Sequence, residues 1–159
     1  MLKKIITLLF LGFYIFSFAQ EDIRSAFIVA ASSKENAKKF YELMNENKQN
    51  NSINQAYLGA SEIIFVRFFP DRRTNYLRRG KQNIEEAISE NPNSLEIRLI
   101  RLSVQENLPK VVPYRKNIEE DKKMLIENYA QQSTELQQYI KGYVQKSKSF
   151  TEEEKKIFK

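Results

Sequence analysis

The stretch Ser94-Leu-Glu-Ile-Arg-Leu-Ile-Arg-Leu-Ser-Val-Gln-Glu106 decides the fold. On a helix that turns by about 100° per residue, this stretch is apolar on two nearly opposite faces, formed by Leu95, Leu99 and Leu102 and by Ile97, Ile100 and Val104. One of the narrow polar strips between these faces carries Glu96 and Ser103. A helix that is apolar on two faces has to pack between neighbours, and stacked helix hairpins provide that environment.

The other polar strip carries Arg98, Arg101 and Gln105, which we predict as candidate binding residues that line a groove. An internal role is the alternative, because buried arginines are normally paired with a carboxylate. Asp121 and Glu62 are the candidate partners for that role. We favour the internal role for the arginines, while the groove role gives the best hint of a ligand.

The rest of the chain also has the pattern of helices. The 159 residues include only four Gly and four Pro, and no stretch alternates polar and apolar residues between turns as a strand would. Capping-box patterns at Ser32 with Glu35 and at Ser52 with Gln55 predict two helix starts. We therefore predict an all-α protein of about six to eight helices arranged as stacked antiparallel hairpins.

The amino-terminal segment has the features of a cleavable signal peptide. Lys3 and Lys4 precede an uncharged run over residues 5–18, and Ser17-Phe18-Ala19 has small residues where a signal peptidase reads them. A transmembrane anchor is the alternative, but the run is shorter than the roughly 20 residues that span a bilayer. We therefore predict a signal peptide over 1–19 and a periplasmic or secreted protein, with no stable membrane span after cleavage.

Cleavage would leave one helical domain, which we place at residues 20–148, and a charged tail at 149–159. We expect the end of that tail to be frayed, although Thr151 and Glu154 could cap a last short helical turn. The chain contains no Cys, so we expect the domain to fold without disulfides and not to be an acylated lipoprotein.

The absence of both His and Cys excludes several kinds of active site. A Ser-His or Cys-His nucleophile and a His-containing zinc site are impossible in this chain. We therefore expect no catalytic residue, no metal site and no cofactor. Removal of Lys3 and Lys4 lowers the formal net charge from +6 to +4, which is less basic than dedicated nucleic-acid-binding proteins usually are, so we also expect no nucleic-acid partner.

Four residues have the spacing of the second-helix positions of a tetratricopeptide repeat: Gly80, Ile84, Ala87 and Pro92. Residues 57–60, Tyr-Leu-Gly-Ala, resemble the small-residue packing step in the first helix of such a repeat. The resemblance covers about 52–106, and it departs from the family pattern at Pro70 and in the lack of a second copy about 34 residues away. It implies a short, irregular α-solenoid, similar to small exported tetratricopeptide-like proteins of Gram-negative bacteria.

The densest charge cluster is basic and consists of Arg67, Arg72, Arg73, Arg78, Arg79 and Lys81. Arg72 and Arg79 are seven residues apart, so one helical face can carry both, and we predict them as a candidate face for an anion or an acidic peptide. The alternative, which we favour, is a solvated face that pairs with Asp71, Glu85 and Glu86.

Two hypotheses of function remain. The leading hypothesis is an exported interaction or scaffold module that binds a protein or peptide partner without catalysis. The alternative is a hydrolase that uses arginine and carboxylates on an envelope glycan or a phosphate ester, with Glu119, Glu120, Asp121 and Glu127 as the carboxylates. The first three of these open a predicted helix, where acidic residues complement the helix dipole, and this explains them without chemistry.

Overall fold

The structure, a computed structural model, describes residues 20–47 and 51–159. The predicted signal peptide at 1–19 lies outside the described residues. The described chain is all-helical, which confirms the predicted fold class and the predicted number of helices. The helices are α1 (20–30), α2 (Lys34–Glu46), α3 (Ser52–Phe68), α4 (Arg73–Glu90), α5 (Leu95–Asn107), α6 (Ile118–Asn128), α7 (Thr134–Val144) and α8 (Glu152–Lys155).

Helix α5 lies between two hydrophobic cores, and its two apolar faces enter different ones. Ile97, Ile100 and Val104 pack into the first core, which also holds buried side chains of α1 to α4. The second core is built with residues of α6, α7 and the carboxyl-terminal segment, and it takes up the opposite face of α5, formed by Leu95, Leu99 and Leu102. The prediction that this helix is sandwiched between neighbours is therefore confirmed.

The predicted helix starts are shifted by one residue where two polar residues compete for the cap. Ser33, and not Ser32, accepts a hydrogen bond from the Asn36 backbone N–H, because the Ser32 hydroxyl instead donates to the Val29 carbonyl at the end of α1. Asn51 caps α3 in place of the predicted Ser52. Asparagine and serine are equally good caps, so local propensity does not choose between neighbouring positions.

Helices α3 and α4 approach each other closely where they cross. A Cβ atom placed on Gly59 would lie 2.5 Å from the carbonyl oxygen of Gly80, and a Cβ on Gly80 would lie 2.6 Å from the carbonyl oxygen of Gly59. The two glycines therefore let the backbones touch, and the prediction that Gly80 marks a close helix approach is confirmed. This contact joins the two helices that carry the repeat-like residues.

The carboxyl-terminal segment differs from the frayed tail that we predicted for 149–159. Phe150 and Phe158 are buried in the second core, and the ring of Phe158 lies 4.8 Å from that of Tyr129. The predicted cap is present, since Thr151 and Glu154 form a complete capping box at the start of α8. The segment is ordered because its two phenylalanines bury apolar surface, which its high charge had obscured.

Candidate functional site

The candidate groove residues Arg98 and Arg101 point inward, towards Asp121 at the start of α6. The Arg101 guanidinium donates to both carboxylate oxygens of Asp121, at 2.7 and 2.8 Å, and Nη1 of Arg98 donates to one of them at 3.1 Å. Asp121 is 0% exposed, whereas Arg98 and Arg101 are 7% and 2% exposed. The groove prediction for these arginines is wrong, and Asp121 is the internal partner that the alternative anticipated.

Further acceptors surround the two guanidinium groups. Arg98 donates to the carbonyl oxygen of Pro92, at 2.9 and 3.0 Å, and also pairs with Glu120. Arg101 donates to Glu85 of α4 at 3.0 Å. The cluster therefore ties α4, α5 and α6 together, and its charged hydrogen bonds are the kind that compensate for burial of an ion pair.

Gln105, the third candidate residue, is also internal. Its side-chain oxygen accepts from the Asn117 backbone N–H at 3.1 Å, and its amide nitrogen donates to the Asn117 side chain at 3.3 Å. Gln105 is 0% exposed. It joins the end of α5 to the start of α6, so the prediction that it lines a groove is wrong.

Tyr114 completes this cluster from the loop between α5 and α6. Its hydroxyl donates to Glu85 at 2.7 Å, and burial together with this contact raises the pKa of Tyr114 well above its usual value. Above about pH 10 the unfolded chain can ionise this tyrosine, while the folded chain keeps it neutral. The unfolded state then binds fewer protons, so stability falls as pH rises.

We expect Tyr114→Phe to remove part of this alkaline loss. Above the pKa that it has in the unfolded chain, one such group lowers the free energy of unfolding by about 1.4 kcal/mol per pH unit. Urea denaturation between pH 8 and about pH 11 would measure the slope for the variant and for the native sequence. The variant should be less stable at pH 8 by about 1 kcal/mol, through the lost hydrogen bond, and should converge with the native sequence at high pH. If the stabilities of the two proteins fell in parallel over this pH range, Tyr114 would not be a source of the alkaline loss.

Of the two residues of the candidate basic face, the structure describes the side chain of Arg79. Arg79 pairs with Glu62 of α3, a carboxylate that is 0% exposed and that also accepts from Asn83 at 3.1 Å. Half of the Arg79 side chain is exposed, and its guanidinium lies over the Tyr76 ring, 5.3 Å from the ring centroid. The side chain of Arg72 lies outside the described part of the structure. Arg79 therefore has a structural partner, although it is not one of the three carboxylates that we predicted.

The opposite polar strip of α5 begins with a third buried carboxylate, Glu96. Glu96 is 3% exposed and accepts two hydrogen bonds from Arg24 of α1, at 2.7 and 2.9 Å. The Tyr57 hydroxyl donates to the same carboxylate at 2.8 Å. Glu96 therefore joins α1 and α3 to α5 and is not free to act on a ligand.

A groove of about 890 Å³ opens beside this strip, bounded by α1, α3, α4, α5, α7 and the loop after α5. Its lining is mainly apolar and includes Ile28, which is 62% exposed although it is a large aliphatic residue. Other lining residues are Phe27, Ile63, Ile64, Leu77, Val104, Leu108, Val112 and Tyr139. The volume is in the range of protein ligand sites, which are usually apolar concavities with few polar groups.

The carboxylate in the lining of this groove, Glu106, is already hydrogen bonded within the protein. It accepts from the Tyr143 hydroxyl, from the Ser147 hydroxyl at 2.7 Å, and from the Lys148 backbone N–H at 2.7 Å. These contacts hold the end of α7 against α5. Glu106 therefore has a structural explanation, and its carboxylate places one formal negative charge in the groove lining.

Four exposed cationic residues line the groove: Arg67, Arg73, Lys146 and Lys148. We call them the basic rim. Among the ion pairs of the described residues, none involves a member of the basic rim. The groove thus combines an apolar interior with four cations, which outnumber the one carboxylate, Glu106, among its described lining residues.

Sequence reasoning found pieces of this groove but not the groove itself. Ser103, on the same polar strip of α5 as Glu96, lines the groove. Arg67 and Arg73 of the basic cluster also line it. The strip with Arg98 and Arg101 could be predicted because charged residues between two apolar faces of one helix form a local sequence pattern. A surface assembled from six parts of the chain leaves no comparable local pattern.

Comparison of the chain with protein-family models, with curated proteins and with solved structures found no match. None of the described helices is long and apolar enough to cross a bilayer. Residues 20–47 and 51–159 contain no group of three or more acidic side chains that could hold a metal ion.

Proposed function

We propose that the protein is an exported, non-catalytic interaction module that binds a segment of a protein partner in the apolar groove. The observation that carries this proposal is the 890 Å³ groove with Ile28 exposed in its lining. Exposed apolar concavities on a small soluble domain often mark interaction sites, because leaving such surface in water is unfavourable. Partner binding would remove this surface from water.

The rest of the proposal is supported by the sequence. Export is supported by the basic start, the short apolar run and the Ser17-Phe18-Ala19 pattern, which together favour cleavage after residue 19 and a periplasmic or secreted location. A tetratricopeptide-like arrangement is supported by the spacing of Gly80, Ile84, Ala87 and Pro92, which matches the second-helix positions of such a repeat.

The hydrolase alternative receives less support from the groove. Carboxylate-based glycoside hydrolysis needs two acidic side chains on opposite sides of the scissile bond. The groove lining contains Glu106, which is held by Tyr143 and Ser147, and no second carboxylate among the described lining residues. Asp121 is occupied by two arginines inside the protein. These contacts favour binding over hydrolysis.

Photocrosslinking in a Gram-negative host that exports the protein would test the proposal. A photoreactive phenylalanine analogue at Ile28 should give a discrete adduct with a protein partner. The same analogue at Ile157, which is 50% exposed and outside the groove lining, is the control and should not.

Gly142→Phe supplies a block for this experiment. Gly142 lines the groove, and a Cβ on it would meet nothing within 4 Å, so a larger side chain can enter the groove without displacing the core. The Ile28 adduct should disappear in this variant while the melting temperature does not fall. An adduct that persists in Gly142→Phe, or that forms equally from residue 157, would show that the groove is not the binding surface.

A further inference from the structure

We infer that the segment bound in the groove is an acidic amphipathic helix, with its apolar face in the groove and its carboxylates against the basic rim. The inference rests on the proposed function, because it names the chemistry of the partner at the same site. It follows from the juxtaposition of an apolar groove with Arg67, Arg73, Lys146 and Lys148.

The charge of the partner follows from the basic rim. The four cations come from two distant parts of the chain, the α3–α4 junction and the segment just after α7, yet all of them line one groove. The described lining holds four cations and one carboxylate, Glu106, so it carries an excess of positive charge that a bound anion would offset. A neutral or basic segment would leave this excess in place. Charge complementarity therefore selects a partner that carries carboxylates.

The helical form of the partner follows from the groove interior. An extended segment would bring unpaired backbone N–H and C=O groups into contact with an apolar lining, and such burial is unfavourable. A helix satisfies its own backbone and presents an apolar stripe, as in other helix-in-groove complexes. A helix of about four turns has about 14 residues and is about 21 Å long, and this is the length that we take for a test peptide.

Two other occupants fit the charge less well. The chain's own segment 1–19 is apolar but carries Lys3 and Lys4 and no acidic residue, so it would add positive charge at the basic rim. A second copy of this chain would bring another basic rim towards the first, and the chain as a whole has a formal net charge of +6. Both arrangements oppose the electrostatics that favour an acidic helix.

Fluorescence anisotropy with designed peptides would test the inference on the purified protein. One peptide has about 14 residues, with leucines on one helical face and glutamates on the other. A second peptide replaces every glutamate with lysine, and a third has the sequence of residues 1–19. We expect the acidic peptide to bind at least about tenfold more tightly than the other two peptides. Its binding should weaken as the salt concentration is raised.

Three variants separate the contributions to binding. The double variant Arg67→Glu/Lys146→Glu should weaken binding of the acidic peptide by roughly tenfold and should improve binding of the lysine peptide. Arg78→Glu is the matched control, because Arg78 is exposed but does not line the groove, and it should leave binding nearly unchanged. Gly142→Phe should block both designed peptides. Circular dichroism melting curves would show that each variant folds.

The outcomes distinguish the inference from the proposed function. If the glutamate and lysine peptides bind equally and Gly142→Phe blocks both, the groove binds segments and the acidic preference is wrong. If charge reversal weakens binding but Gly142→Phe does not, the acidic peptide binds outside the groove and the inference is wrong. Tighter binding of the 1–19 peptide, or a dimer that Gly142→Phe dissociates, would assign the groove to this chain itself and overturn the inference.

Discussion

Asp121→Ala should destabilise the protein by about 3–5 kcal/mol, the usual cost of removing one partner from a buried ion pair. Asp121 is 0% exposed and accepts from Arg98 and Arg101, which are themselves buried. Its removal leaves two guanidinium groups inside the protein with fewer acceptors and little water. Urea denaturation at neutral pH would measure the loss as a lower transition midpoint.

Glu120→Ala is the matched control for this variant. Glu120 precedes Asp121 in the chain and contacts the same two arginines, but 52% of its side chain is exposed. Solvent screening should limit its contribution to about 0–1 kcal/mol. Replacing Asp121 together with both arginines by apolar residues of similar size should recover much of the lost stability. Equal losses for Asp121→Ala and Glu120→Ala would contradict the idea that burial sets the cost.

Gly80→Ala should cost about 3 kcal/mol, at the upper end of what overpacking usually costs. The added Cβ would lie 2.6 Å from the Gly59 carbonyl oxygen and 2.6 Å from a side-chain carbon of Ile63. Backbone cannot move aside as a flexible side chain can, so α3 and α4 would have to separate. Thermal denaturation would record the loss as a lower melting temperature.

Gly142→Ala is the same chemical change, but we expect it to stabilise the protein slightly. Gly142 is also helical, but a Cβ there meets nothing within 4 Å. Alanine is favoured over glycine inside a helix by about 0.5–1 kcal/mol, so this variant should be slightly stabilised. A similar effect at positions 80 and 142 would mean that helix propensity, and not the backbone contact, determines the outcome.

Features encoded over one or two helical turns could be predicted from the sequence. The two apolar faces of α5 were predicted because a helix converts spacing directly into direction, and both faces meet the expected kind of core. Gly80 was predicted as a close-packing position for the same reason. The capping box at Thr151 also depends only on residues within one turn.

Pairings between distant residues could not be predicted in the same way. Asp121 and Glu62 were both reasonable partners for the arginines of α5, but only the packing of α6 on α5 selects Asp121, and Glu62 pairs with Arg79 instead. The groove was missed because the side chains that line it come from six parts of the chain. The burial of Phe158 was missed although an apolar residue in a charged tail is itself a signal.

The position of α5 between the two cores has a consequence for cooperativity. Each core is packed against one face of this helix, so both cores become exposed to water when α5 unwinds. Elements that contribute to a single core, such as α2 and α6, can open locally, but loss of α5 exposes both cores at once. The helix therefore couples the two halves into one unfolding unit, and the segment 52–106 cannot be cut out as a minimal domain without leaving the leucine face of α5 in water.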